Sequence, residues 1–111
     1  MKRTITAPAE IDRLFSQGLR IPDPVVLVLA IKTPEARDPS GRVLFVAGKK
    51  LGGAVVRNRS KRRMREAARI AGGPWPGWDV ALVARRDTPT AKPEAIATAV
   101  GRAVSGLERA K

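Results

Sequence analysis

Apolar and polar positions alternate along the 111 residues in patterns that predict helices and strands in turn. Residues 8–17 begin with a proline suited to a first helical turn. Apolar side chains then recur at Ile11, Leu14 and Phe15 with the spacing of one helical face. Gly18 suits the end of a helix. This stretch therefore predicts a short helix with one apolar face.

Three apolar segments predict strands. Residues 25–31 (VVLVLAI) are apolar throughout and rich in β-branched side chains, which is typical of a strand buried on both faces. Residues 42–48 (RVLFVAG) predict a second strand that pairs with the first, after a loop at residues 33–41. Residues 78–86 (WDVALVARR) predict a further strand whose second half is polar.

Helical periodicity returns near the end of the chain. Residues 92–110 predict a final amphipathic helix. Its apolar positions are Ile96, Val100, Ala103, Val104 and Leu107. The order of elements predicts an α+β sandwich, with helices packed on a small sheet, and the length suits a single domain over residues 1–111.

Charge is concentrated in residues 49–69, KKLGGAVVRNRSKRRMREAAR. Nine of these 21 residues are Lys or Arg and one is acidic, so the segment carries +8 of the net charge of +12. A concentrated basic patch indicates a polyanionic partner. A solvated face would normally mix both signs. A helix lying on a membrane would need bulky apolar residues opposite the charges.

A helical wheel separates two sides of this segment. One side is a narrow stripe that could lie on a sheet: Val56, Ser60, Met64, Ala67 and Ala71. The opposite side is polar and basic: Arg57, Asn58, Lys61, Arg62, Arg65 and Arg69. Arg59 and Arg63 fall near the edge of the stripe, where their stems could lie along it and their heads reach solvent. Like charges four residues apart repel, so a bound polyanion would stabilise the row.

Two details of the segment fit phosphate binding. The planar guanidinium of Arg suits bidentate phosphate contacts and base stacking. Gly52 and Gly53 would let the backbone approach a phosphate closely, or they would form a tight turn from strand to helix. Asn58 is able to contact a base edge or a backbone group.

Missing residue types narrow the chemistry. The chain has no Cys and no His, which removes thiolate zinc sites and the commonest general base and metal ligand. Asp38 and Asp87 fall in loop-like segments without the signature of metal ligands. We therefore expect neither a catalytic residue nor a metal site in the protein.

The longest apolar run has seven residues against about 20 for a membrane span, which predicts a cytoplasmic protein without a membrane partner.

The basic segment resembles the signature of the protein subunit of bacterial ribonuclease P. The matching residues are Lys49, Lys50, Gly52, Ala54, Val55, Arg57, Asn58, Arg59, Lys61, Arg62, Arg65 and Glu66. The short helix with Phe15 and Gly18 is also similar to that family. The resemblance implies an α-β-β-β-α-β-α sandwich with a left-handed βαβ crossover, although most such crossovers are right-handed. We expect its third strand to continue from residue 42 toward Lys49.

The family resemblance also implies a function. In that family the RNA subunit removes the 5′ leader of precursor tRNA by Mg²⁺-dependent hydrolysis, and the protein assists RNA folding and binds the leader. The expected partners are therefore ribonuclease P RNA and precursor tRNA. Mg²⁺ would be used by the ribonucleoprotein and not held by a protein motif.

Two binding surfaces follow from the resemblance. Residues expected to bind the RNA subunit are Lys49, Lys50, Arg57, Asn58, Arg59, Lys61, Arg62, Arg65 and Arg69. Residues expected to meet the single-stranded leader, in a cleft between the first helix and the sheet, are Phe15, Ile11, Leu29, Arg20, Arg85 and Arg86. Ile11 and Leu29 stand where the family commonly has aromatics, so base stacking should be weaker here. Phe15 is equally compatible with core packing.

Two other functions remain open at the level of sequence. A ribosomal or architectural nucleic-acid-binding protein would share the basic helix and the fold class, but it does not require the whole signature. A stand-alone nuclease is disfavoured because the chain lacks His and a carboxylate cluster.

Overall fold

A computed structural model describes residues 8–33 and 41–109. Within these ranges the chain forms three α-helices, at Pro8–Gln17 (α1), Ala54–Ile70 (α2) and Pro93–Arg109 (α3). It also forms four strands, at Leu19–Pro22 (β1), Val26–Lys32 (β2), Arg42–Val46 (β3) and Trp78–Ala84 (β4). Single 3-10 turns follow β3 and β4, at Lys49–Leu51 and Thr88–Thr90. The order α-β-β-β-α-β-α is confirmed.

The sheet has the order β1-β2-β4-β3. β4 pairs antiparallel with β2 and parallel with β3, so it lies between them. The prediction that the segment beginning at Arg42 pairs with β2 is wrong. Val80, Ala81 and Leu82 of β4 are fully buried and suit the centre of a sheet, whereas β3 is mostly half-buried and forms an edge.

The expected third strand near Lys49 is also wrong, because residues 49–51 form a 3-10 turn. The additional strand is β1, which precedes β2 and pairs antiparallel with it. β1 has four residues and ends at Pro22, which is tolerated at the edge of a sheet. Gly18 permits the tight turn from α1 into β1. Its N–H donates to the Leu14 carbonyl oxygen, and a Cβ at this position would collide with the same oxygen.

The two faces of the sheet are covered by different helices. α2 and α3 cover the face that carries Val28, Val80 and Leu82, and this layer contains the larger core. α1 packs on the opposite face, where Leu14 meets Leu29 and Ala81 in a smaller cluster. The sheet is thus buried on both sides at its centre, as the apolar run of β2 predicts.

The parallel pair β3 and β4 is connected through α2, which makes β3-α2-β4 the βαβ crossover. The left hand of this crossover stays a prediction. The loop expected at residues 33–41 falls mostly outside the described residues, as do Asp38 and the last residue of the expected final helix, Ala110. In the described ranges, no helix is both long and apolar enough to cross a membrane.

Candidate RNA-binding surface

The basic segment begins where β3 ends, at the edge of the sheet. After the 3-10 turn, Gly52 adopts a φ of 143°, a conformation that favours glycine. Gly53 is the N-cap of α2, and its carbonyl accepts the backbone N–H of Arg57. A Cβ at Gly53 would meet no atom within 4 Å. Gly52 therefore makes the tight turn, and Gly53 leaves open space at the start of α2.

α2 turns a buried stripe toward the core. Ser60, Met64 and Ala67 have no exposed surface, as the helical wheel predicts. Ala68 is also buried, so the stripe is centred further round the helix than expected. Ser60 does not leave its hydroxyl unpaired, because Oγ donates to the Val56 carbonyl oxygen at 3.0 Å. The two ends of the predicted stripe, Val56 and Ala71, are half-buried.

The opposite side of α2 is exposed and cationic. We call this side the basic helix surface and define it by its exposed residues: Asn58, Arg59, Arg62, Arg65 and Arg69. Lys49 and Lys50 are exposed on the turn that leads into it, and Lys61 is half-buried beside it. Arg69 forms an ion pair with Glu66, the one acidic residue of α2. The structure thus brings most of the predicted RNA-binding residues onto one side of one helix.

Two arginines depart from the predicted arrangement. Arg57 is half-buried, and its Nε is shielded from solvent without a hydrogen-bond partner in the described part of the chain. At 100° per residue it falls between Met64 and Ala68, on the buried side and not opposite it. Arg63 does not send its head group to solvent. Its Nη1 donates to the Ala91 carbonyl oxygen at 2.7 Å and so ties α2 to the segment before α3.

The expected leader-binding residues on α1 and the sheet differ in exposure. Phe15 is 43% exposed, so it is not a core residue; Leu14 fills the core instead. Ile11 is half-buried beside it. Arg20 is exposed and lies opposite Leu29 in the β1–β2 register. Leu29 itself has no exposed surface beneath α1, so the expectation that it contacts a leader is wrong. Leu29 is buried because β2 is a central strand that is covered on both faces.

Arg85 and Arg86 lie at the end of the sheet, just beyond β4. Together with residues 22–24 and Asp87, they line an open pocket of about 450 Å³. The Nη1 of Arg85 donates to the Asp23 carbonyl oxygen at 3.3 Å. The lining comes from the β1–β2 turn and the segment after β4 rather than from α1. Phe15 does not line this pocket with the two arginines.

A buried threonine holds this end of the sheet together. Thr88 has no exposed surface, and its hydroxyl donates to the Val25 carbonyl oxygen at 2.6 Å. The same hydroxyl accepts the backbone N–H of Arg85 at 2.8 Å. The sequence contains no pattern that marks Thr88, because its two partners are brought together by the β2–β4 pairing.

Acidic side chains are not grouped in the described residues. Asp79 is buried in β4, and its Oδ1 accepts the hydroxyl of Thr33 at 3.1 Å. Asp87 is exposed at the start of the turn after β4. Across residues 8–33 and 41–109, no three His, Cys, Asp or Glu side chains come close enough to hold a metal ion.

The fold and the site define an α+β protein with a small mixed sheet and one strongly basic helix, and such a basic face is the electrostatic footprint typical of nucleic-acid-binding proteins. The family model described as Ribonuclease P matches residues 1–108, so the chain belongs to the ribonuclease P protein family. A ribonuclease P protein component of Gluconacetobacter diazotrophicus is 39% identical over 82 residues, which are 72% of this chain and 69% of that protein. One of Symbiobacterium thermophilum is 42% identical over 77 residues, 66% and 63% of the two chains.

Solved structures of this family share the fold. The RNase P protein of Staphylococcus aureus matches with a TM-score of 0.77 at 20% identity, covering 96% of both chains. The RNase P protein of Thermotoga maritima matches with a TM-score of 0.72 at 20% identity, covering 89% of this chain and 92% of that one. The predicted family and the predicted α+β architecture are both confirmed.

Proposed function

We propose that this chain is the protein component of a bacterial ribonuclease P, which binds the catalytic RNA subunit and the 5′ leader of precursor tRNA. The observation that carries the proposal is the basic helix surface. It presents exposed guanidinium groups opposite a stripe that is buried in the core, so these charges all lie on the outward side of α2. A concentrated cationic surface of this kind suits the phosphate backbone of an RNA.

The exposed side chains divide into two roles under this proposal. Arg59, Arg62 and Arg65 contact phosphates of the RNA subunit, since a guanidinium is able to bind a phosphate through two parallel hydrogen bonds. Phe15 and Arg20 contact the single-stranded leader, one by stacking on a base and the other by charge. Leu29 supports the sheet beneath α1 and does not touch the leader.

The chemistry belongs to the RNA subunit. Metal-assisted hydrolysis of a phosphodiester needs positioned oxygen ligands around Mg²⁺. Asp79 is buried and accepts a hydrogen bond from Thr33, Asp87 is exposed beyond the other end of β4, and no three carboxylates come together in the described residues. The protein positions RNA and leader, and Mg²⁺ is a cofactor of the ribonucleoprotein.

A reconstitution tests the proposal. The purified chain is mixed with a bacterial ribonuclease P RNA and a 5′-labelled precursor tRNA at low Mg²⁺, where the RNA alone is slow. Faster cleavage at the mature 5′ end, with none by the protein alone, is the expected result. Cleavage by the protein without RNA would contradict the assignment of chemistry to the RNA.

The same assay separates this function from a general RNA-binding module. Such a module would bind the RNA subunit in a salt-dependent way and leave the cleavage rate unchanged. Recovery of ribosomal RNA from cells, in preference to ribonuclease P RNA, would then identify the alternative partner.

A further inference from the structure

A pocket beneath the C-terminal half of α2 has no role in the function proposed above. It lies on the edge of the sheet, between β3 and α2, and has a volume of about 250 Å³. Phe45 lines it from β3, Arg65 and Arg69 line it from α2, and Gly73 and Pro74 line it from the loop before β4. This volume is just below the range of about 300–1,000 Å³ typical of drug-sized ligands, which suits a smaller planar group.

Phe45 supplies an aromatic surface to this pocket. The chain has four aromatic residues, and Trp75 and Trp78 are buried in the core. Only Phe15 and Phe45 therefore retain surface on which a base could stack. Phe15 belongs to the α1 side of the sheet, whereas Phe45 is half-buried on the α2 side.

Arg65 adds a cationic plane next to that ring. Its guanidinium carbon lies 5.5 Å from the centroid of Phe45, within the range of a cation–π contact. Arg65 is exposed, and among the described residues its head group contacts this ring without a hydrogen bond or ion pair. It is therefore free to move from the ring to a phosphate when another planar group takes its place.

The pocket also continues the basic side of α2. Arg65 and Arg69 are the last two residues of the basic helix surface. An RNA strand lying along this surface reaches the pocket at its end. An apolar interior with cations at its rim is complementary to a nucleotide, which has a planar apolar base and an anionic phosphate.

We propose that this pocket binds one unpaired nucleobase of the RNA subunit, stacked on Phe45, with its phosphate held by Arg65 and Arg69. The inference rests on the proposed function, because it takes the RNA subunit as the source of the base. It adds a site on the opposite side of the sheet from α1 and the proposed leader contacts.

Replacement of Phe45 tests the stack. Binding of the full chain to a bacterial ribonuclease P RNA is measured without precursor tRNA, at several salt concentrations. Phe45→Leu keeps an apolar side chain but removes the aromatic face. We expect affinity to fall about 5- to 140-fold, the equivalent of about 1–3 kcal/mol for one stacked base, with an unchanged salt slope. Phe45→Tyr should retain most of the affinity.

Arg65→Ala provides the electrostatic comparison. It should weaken binding and also reduce the magnitude of the salt slope by about 1, because one phosphate contact is lost. If the wild-type chain binds with a steep salt slope and Phe45→Leu binds equally well, the pocket proposal alone is wrong. If the wild-type chain does not bind this RNA, the proposed function and the pocket both fail.

Photocrosslinking of the wild-type complex avoids any effect of substitutions on folding. Trypsin cleaves after Arg42 and Lys49, so Phe45 is recovered in a peptide of residues 43–49. Phe15 is recovered separately, in residues 14–20. Ultraviolet irradiation should attach a nucleotide to the first peptide when the RNA subunit alone is bound. Crosslinks confined to other peptides would overturn the assignment. The same result would be obtained if the pocket bound an acidic peptide instead of RNA.

Discussion

Arg62 and Arg63 are neighbours in α2 with different surroundings. Arg62 is exposed on the basic helix surface, whereas Arg63 is half-buried and donates to the Ala91 carbonyl oxygen. The helical wheel places Arg62 opposite the buried stripe and Arg63 near its edge. It cannot show the hydrogen bond of Arg63, because the Ala91 carbonyl is 28 residues away along the chain.

Arg62→Ala should weaken RNA binding without changing stability. The side chain contacts solvent, so its loss removes one phosphate contact and should reduce the magnitude of the salt slope by about 1. Filter binding to the RNA subunit and thermal unfolding measure the two properties. Arg102→Ala, which also removes an exposed charge but from α3, is the control and should have the smaller effect on binding. Equal losses from the two variants would argue against a localised RNA surface.

Arg63→Ala should lower stability and leave RNA binding nearly unchanged. It removes a charged hydrogen bond between α2 and the segment before α3, which typically contributes about 1.5–3 kcal/mol. Urea denaturation should show a free energy of unfolding lower by roughly that amount. A midpoint equal to that of Arg62→Ala would show that the bond to Ala91 contributes nothing to stability.

Thr88→Val tests the buried hydroxyl at the end of the sheet. Valine has nearly the same shape, but the Val25 carbonyl and the Arg85 N–H would lose their partner. We expect a loss of about 1–3 kcal/mol in unfolding free energy, measured by chemical denaturation. Thr98→Val is the matched control, because that hydroxyl is exposed on α3 and bonds only to the preceding helical turn. Its effect should stay within about 0.5 kcal/mol.

At the scale of elements, α2 packs one side against the core and exposes the other, and its buried and exposed residues lie at different angles around the helix axis. Met64 has no exposed surface and is part of the larger core, whereas Ile70, near the end of the same helix, is 44% exposed. Met64→Ala should therefore cost about 2–5 kcal/mol, including the cavity that it leaves. Ile70→Ala should cost much less in the same denaturation experiment. Similar losses for both would mean that the buried stripe of α2 is misplaced.

Sequence patterns predicted the elements better than their pairing. Helical spacing located α1 and α3, and continuous apolar runs located β2 and β4. β1 was missed because its four residues are too few to establish a period of two, and because it ends in Pro22, which is unfavourable inside a strand. The predicted pairing of β3 with β2 was wrong because strand order depends on the crossover through α2, which no local pattern encodes.

At the scale of the whole molecule, the charge distribution predicts how binding responds to salt. Residues 49–69 carry +8 of the net +12, and the exposed part of that charge lies on one side of α2 and on the turn before it. If about six phosphates are contacted, the logarithm of the binding constant should fall with the logarithm of salt concentration at a slope of about −4 to −5. Titrations in increasing potassium chloride measure this slope. A slope near −1 would contradict binding through the basic helix surface.

The sequence by itself determined the kind of protein: the helices, the strands other than β1, the concentrated charge and the signature of the family. These properties depend on residues close together in the chain, where periodicity and charge spacing are direct consequences of backbone geometry. The tertiary structure decided which side chains are exposed for binding and which are buried or hydrogen-bonded within the fold. Leu29, Arg63 and Phe45 have roles set by residues far away in sequence. Burial and hydrogen bonding are properties of the packed chain, so only the packing of helices on the sheet could decide them.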